Sequence, residues 1–157
     1  MAASTFEVKR NTVINAPAPT IQQLIDDFRE WPKWSPWEDI DPEMNRDYSG
    51  ADSGKGAAYA WSGNRKAGSG RMEITGAEPG RVDLDLDFTA PMKTQNRLAF
   101  DLTPKGAATE VTWTMTGTQT GIWKLIGKIY PMDKLVGKDF DKGLARLKTA
   151  AEAASSD

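Results

Sequence analysis

The chain has 157 residues and a formal net charge of −2, with 27% charged and 39% hydrophobic residues. It contains no cysteine and no histidine. Disulfides, thiolate zinc sites, cysteine nucleophiles and a Ser-His-Asp triad are therefore excluded, and the usual general base near neutral pH and the commonest metal ligand are missing. The near-neutral charge offers no global field for nucleic acid, whose affinity comes largely from Lys and Arg neutralising phosphates.

A chain of this length buries roughly 68–70% of its unfolded surface, enough for a core. We expect one domain over 1–157, with a core of about 6–149. Met1–Glu7 has no basic-then-apolar signal pattern, and no run approaches the roughly 18 apolar residues of a membrane span. The expected location is the cytoplasm. Charge is unevenly placed. Residues 26–47 hold eight acids against three bases, and residues 124–148 hold seven bases against three acids. The basic stretch reads as a solvated helix face or as a surface for an acidic partner.

Phe6–Asn15 mixes apolar, charged and β-branched residues and reads as a first strand. Asn15-Ala16-Pro17-Ala18-Pro19 breaks it. Ile21, Leu24, Ile25 and Phe28 then recur at helical spacing, and the prolines suit a helix start because their missing N–H has no intrahelical partner there. The Trp31-Pro32-Lys33-Trp34-Ser35-Pro36-Trp37 stretch cannot continue as one regular helix, since each Pro disfavours helix in the residue before it. It predicts a second short helix ending near Trp34, then a turn.

From Met44 onward the pattern becomes strands separated by turns. Met44–Ser49 precedes Gly50, Gly54 and Gly56. Ala57–Gly63 carries Tyr59 and Trp61 on one face, and Ser69–Ala77 alternates Met72 and Ile74 with Arg71, Glu73 and Thr75. Arg81–Phe88 is the clearest strand, with Val82, Leu84, Leu86 and Phe88 on one face and Asp83, Asp85 and Asp87 on the other. Thr94–Thr103 and Thr109–Gly117 follow, with Leu98, Phe100, Leu102, Val111, Trp113 and Met115 expected inside. Met132, Leu135, Val136, Phe140, Leu144 and Leu147 then form a helical stripe. Consecutive strands joined by short turns pair antiparallel, and their apolar face needs a cover. The C-terminal helix is the one element long and apolar enough. The predicted fold class is α+β: a curved antiparallel sheet of about seven strands wrapped around a long C-terminal helix, with two short helices after the first strand.

This order, the Ile14-Asn15-Ala16-Pro17 start and the segment Phe28-Arg29-Glu30-Trp31-Pro32-Lys33-Trp34-Ser35-Pro36-Trp37 resemble the START/Bet v 1-like (SRPBCC) superfamily with its helix-grip fold. Arg71-Met72-Glu73-Ile74-Thr75 and the run from Met132 to Phe140 are similar to its bacterial polyketide cyclase/dehydrase and lipid-transport group. The resemblance covers roughly residues 6–149 and implies an internal cavity between sheet and helix.

On that expectation the ligand-lining candidates are Tyr59, Trp61, Met72, Phe88, Trp113 and Met115 from the sheet, and Met132, Val136 and Phe140 from the helix. Trp34 and Trp37 would cover one end. Asn96, in phase with Leu98, is the inward polar anchor. Ligand pockets are lined mainly by apolar and aromatic groups with few polar anchors, and Met adapts to irregular shapes. The competing reading is that these residues simply fill a solid core. Residues 121–132, with Ile122, Trp123, Leu125, Ile126, Ile129 and Tyr130 beside Lys124 and Lys128, read as a short amphipathic lid that also suits transient contact with a membrane surface. Arg71, Glu73, Arg97 and the three aspartates fall on the wet face. Gly63–Gly70 lacks the Gly-Lys-Ser/Thr ending of a phosphate loop.

No catalytic residue, metal ligand or cofactor is expected. The leading expectation is a carrier or binder of a small hydrophobic molecule, a lipid or polyketide-like metabolite, with no nucleic-acid partner and no stable membrane insertion. The alternatives are a polyketide cyclase/dehydrase-type enzyme and a protein-interaction role resembling the heat-shock ATPase activators of the superfamily.

Overall fold

The computed structural model of the chain describes residues 4–35, 45–63, 68–90, 94–119 and 132–155. Strand β1 (Ser4–Ile14) leads into helix α1 (Ala18–Ile25) and a 3₁₀ helix (Phe28–Lys33). Six strands follow: β2 (Asn45–Gly50), β3 (Ala57–Ser62), β4 (Ser69–Glu78), β5 (Arg81–Ala90), β6 (Thr94–Lys105) and β7 (Ala108–Gln119). Helix α2 (Met132–Ser155) closes the described chain. The strands form one seven-stranded antiparallel sheet in the order β1-β7-β6-β5-β4-β3-β2. The meander from β2 to β7 is as expected from the short turns. β1 closes against β7 rather than lying beside β2, because the two helices carry the chain across the concave face before β2 begins.

Alternation produces the two faces. Val82, Leu84 and Leu86 of β5 are buried, as are Leu98, Phe100 and Leu102 of β6 and Val111, Trp113 and Met115 of β7. Their neighbours of opposite phase face outward and pair there. Arg81 donates to Asp101 at 2.7 Å and to Asp83 at 2.9 Å, and Arg71 meets Glu73 at 2.8 Å. These pairs are exposed and contribute little each. Helix α2 buries Phe140, Leu144, Leu147 and Ala151 at helical spacing and packs along β1 and α1.

The expected helical stripe through Phe28 divides in two. α1 stops at Ile25, and Phe28 opens the 3₁₀ helix, with the Asp27 carboxylate accepting from the Arg29 N–H at 2.9 Å. Pro32 sits inside the 3₁₀ helix, whose short hydrogen-bonded turn tolerates it better than an α-helix would. The end of α1 leaves carbonyls without intrahelical partners. The Trp31 indole N–H donates to the Ile25 carbonyl at 2.8 Å, and the Trp34 indole N–H donates to the Leu24 carbonyl at 2.7 Å. Gln22 anchors the other side of α1: its amide donates to the Glu78 carbonyl at 2.8 Å and accepts from the Gly80 N–H at 3.0 Å, clamping the β4–β5 turn. Glu152 of α2 accepts from the Asn15 N–H at 2.9 Å and pairs with Lys148. That contact ties the end of β1 to the last turns of α2.

Candidate functional site

Cross-strand partners in an antiparallel sheet carry side chains on the same face, so the register divides the concave face into rows. Val82, Phe100, Trp113 and Arg10 are successive partners, and Ile74, Leu84, Leu98, Met115 and Val8 form the next row. Tyr48, Tyr59, Met72, Leu86, Asn96 and Gly117 form a third. Arg46, Trp61, Gly70 and Phe88 form a fourth at the far end.

The first two rows are closed. Trp113 and Phe140 stack with centroids 3.9 Å apart and planes within 4°, and Trp113 also stacks on Phe100 at 5.0 Å. Trp34 meets Trp113 edge-on at 5.5 Å and lies 4.6 Å from Trp31. Trp31, Trp34, Phe100, Trp113 and Phe140 are each at most 1% exposed. In this half of the interior Trp34, Trp113 and Phe140 are buried and in contact with neighbouring rings. The Trp34 indole is buried and held by the Leu24 carbonyl of α1. Trp113 and Phe140 fill each other's contact surface.

The third and fourth rows differ. Phe28, Tyr59, Trp61 and Phe88 continue the ring series at 5.7, 6.1 and 5.5 Å, and Tyr48 lies 5.2 Å from Tyr59. Tyr59 and Met72 are buried, whereas Tyr48, Trp61 and Phe88 are partly exposed. Trp61 lies over Gly70, where a Cβ would come within 2.6 Å of its ring and 2.5 Å of the Asp87 carbonyl. Asn96 is 6% exposed among apolar neighbours, as its phase with Leu98 predicts. Its amide donates to the Leu86 carbonyl at 3.3 Å, while its partner Gly117 carries no side chain.

The wet-face expectations hold. Arg71, Glu73 and Arg97, with Asp83, Asp85 and Asp87, all lie on the convex side, and Arg97 approaches Asp85 at 3.9 Å. Trp37, Trp123 and the lid expected over 121–132 lie outside the described residues, apart from Met132 at the start of α2. Met132 and Val136 belong to the first turns of α2, with their side chains outside the described residues. Among the described residues no cluster of acidic side chains is arranged to hold a metal ion.

Two concave-face arginines are missing from the sequence expectations. Arg46 partners Trp61 and shares a face with Tyr48. Its strand, Asn45-Arg46-Asp47-Tyr48-Ser49, has one large apolar residue to mark the phase, and counting back two from Tyr48 is the signal that finds it. Arg10 is tucked under α2, 3.5 Å from Asp141, where a Cβ on Gly137 would collide with its guanidinium.

The seven-stranded curved sheet with its C-terminal helix is the helix-grip fold of the START/Bet v 1-like (SRPBCC) proteins. Within that class, the profile of the family described as polyketide cyclase/dehydrase and lipid transport matches residues 5–152, and the chain belongs to this family. Among solved structures, the protein TTHA0849 from Thermus thermophilus is 16% identical, with 96% of this chain and 99% of that one covered at a TM-score of 0.67. The Aha1 dimer from Colwellia psychrerythraea is 18% identical over 94% and 96% of the two chains, with a TM-score of 0.60. Norcoclaurine synthase from Thalictrum flavum is 6% identical over 94% and 87%, with a TM-score of 0.67. These likenesses are of fold. No curated protein matches by sequence. Among the described residues no helix is long and apolar enough to cross a membrane.

Proposed function

We propose that this chain binds a small hydrophobic molecule against the third and fourth rows of its concave face, with Tyr59, Trp61, Met72 and Phe88 as the apolar wall and Asn96 as the polar group that orients it. The observation that carries the reading is the contrast along one ring series. The rings from Phe140 to Trp31 are sealed against one another, while Trp61 and Phe88 at the far end keep accessible surface on the same face. Covering such surface is favourable by about 25 cal/mol per Å² before the costs of ordering the ligand. The family's lipid-transport description supports the reading. These two rows hold no carboxylate among their described side chains and the chain has no imidazole, which favours binding over acid–base turnover of a polyketide. Native mass spectrometry of gently purified protein is expected to show a bound small molecule. A panel of fatty acids, sterols and aromatic polyketides that leaves both tryptophan fluorescence and Tm unmoved overturns the proposal.

A second reading rests on a different surface. The 3₁₀ helix and α2 flank an open groove of about 580 Å³ lined by Pro32, Lys33, Lys142, Ala145, Arg146, Thr149 and Ala150, where Lys33 pairs with Glu30 and α2 adds Lys142 and Arg146. This supports docking of an acidic partner protein. A pull-down from lysate that charge reversal at Lys33, Lys142 and Arg146 leaves unchanged removes it.

A further inference from the structure

A series of rings runs through the interior as two chemically different groups. Trp113, Trp34 and Trp31 lie at the sealed end, with successive centroids 5.5 and 4.6 Å apart. Tyr59 and Tyr48 lie at the far edge, 5.2 Å apart. Phe28 joins the two groups, 5.4 Å from Trp31 and 5.7 Å from Tyr59. These spacings are those of aromatic rings in contact, so the π systems couple from one end of the series to the other. In a chain without cysteine, indoles and phenols are the side chains that give up a single electron most readily.

The two groups differ in what happens to the positive charge that oxidation leaves behind. Trp31 and Trp34 are buried, and their indole N–H groups donate to the carbonyls of Ile25 and Leu24. An amide carbonyl is too weak a base to accept that proton. An oxidised indole there stays a cation, and a cation in apolar surroundings is costly. Tyr48 is half-buried at the edge of the sheet, with the Arg29 guanidinium 4.9 Å from its ring centroid. Like charges repel, so Arg29 opposes a positive ring and favours release of the phenol proton on oxidation, which leaves a neutral radical. Oxidising charge is thus driven outward from the indoles. We propose that the ring series is a discharge path, in which one-electron oxidation of the buried tryptophans is carried through Phe28 and Tyr59 to Tyr48. With an organic peroxyl radical as oxidant, the peroxyl takes one electron from an indole and one proton from water and becomes a hydroperoxide. The indole radical cation takes an electron from Tyr48 through the intervening rings, and Tyr48 gives its phenol proton to water. The net change moves one hydrogen atom from Tyr48 to the peroxyl radical and restores the indole. The path does not depend on what occupies the concave face.

Because the chain has no cysteine, a single one introduced at the exposed Lys33, next to Trp34 in sequence, takes a tethered ruthenium tris-bipyridine photo-oxidant at one place. A laser flash with a soluble electron acceptor converts the tether to ruthenium(III). Transient absorption then follows the indole radical cation and the tyrosyl radical in the Lys33→Cys chain and in the same chain carrying Tyr48→Phe, Tyr130→Phe or Phe28→Leu. In the parent the indole signal is expected to decay as the tyrosyl signal rises, at a rate independent of protein concentration. Tyr48→Phe is expected to lose most of the tyrosyl signal and to prolong the indole radical severalfold, Tyr130→Phe to behave as the parent, and Phe28→Leu to slow the transfer severalfold. Tyr48→Phe removes one hydroxyl and keeps the ring, so it carries the decision, with unshifted tryptophan emission as the check that it is folded. An undiminished tyrosyl signal in Tyr48→Phe, its loss in Tyr130→Phe, or an indole signal that decays with no tyrosyl rise in the parent overturns the path. An unchanged rate in Phe28→Leu overturns the link through Phe28.

Discussion

Gly70 and Gly137 each leave room for a neighbour's side chain, and the two neighbours yield differently. A Cβ at Gly70 would press on the Asp87 carbonyl at 2.5 Å and on the Trp61 ring at 2.6 Å. The carbonyl belongs to the β4–β5 pairing and cannot move without cost. Gly70→Ala is expected to lose about 1–3 kcal/mol of stability, the range for overpacking, and to red-shift tryptophan emission as Trp61 is displaced. A Cβ at Gly137 meets the far end of a flexible arginine side chain, which can swing away. Alanine also gains about 0.8–1.0 kcal/mol of helix propensity over glycine. Gly137→Ala is therefore expected to be close to neutral in the wild type and stabilising by about that propensity difference in an Arg10→Ala background, as a denaturant double-mutant cycle reads directly. Asp26 supplies a pH test. Burial, and then repulsion from Asp27, raise its carboxyl above the ordinary value of 3.8. The folded state thus holds that proton more tightly than the unfolded state does. The contribution favours folding below pH 3.8 and is lost as pH rises through the raised value. Asp26→Asn is expected to raise Tm at neutral pH, with the advantage shrinking on acidification; a pH-independent difference would contradict this.

At the scale of elements, α1 is held by residues that follow it in the chain. It is only eight residues long, its N-cap Pro17 makes no side-chain cap hydrogen bond, and its first turn has no acid. An isolated helix of that length is not stable in water. Its last carbonyls are capped by the indoles of Trp31 and Trp34, and Gln22 fastens it to the β4–β5 turn. Trp34→Phe keeps most of the ring surface but leaves the buried Leu24 carbonyl without that donor. A loss of about 1–3 kcal/mol is expected from urea unfolding. Trp34, expected from the sequence to cover one end of a pocket, is thus with Trp31 one of the hydrogen-bond donors that end a helix. A Trp-Pro-x-Trp spacing after an apolar stripe shows that the helix must stop. It does not show that the indoles turn back to cap it.

At the scale of the molecule, the two halves of the concave face should respond separately. Phe140→Leu disturbs the stack on Trp113 and is expected to lower Tm with little change in ligand affinity. Trp61→Ala removes a partly exposed ring and is expected to weaken dodecanol binding about tenfold or more, as loss of a central aromatic contact does, with a smaller fall in Tm. If both variants move both quantities in proportion, the division into a sealed core and a binding end is wrong. Among the expected lining residues, Tyr59, Trp61, Met72, Phe88 and Asn96 fall on the third and fourth rows, and Met115 lies one row deeper. Trp34, Trp113 and Phe140 pack the core. Inward phase was legible for every one of these strand residues because alternation has a period of two. Depth along the sheet was not, because depth depends on which residue of the next strand lies opposite.

Local pattern alone therefore settled the order of the elements, the antiparallel meander and the inner and outer faces of β4 to β7, since each follows from periodicity and turn chemistry within a few residues. The absence of histidine and cysteine was likewise complete before any fold was known. Tertiary structure decided the pairing of β1 with β7, the capping of α1 by Trp31 and Trp34, and the arrival of Arg46 beside Trp61. Each of these joins residues whose relation is set by register and by long-range closure, and those depend on the whole chain at once.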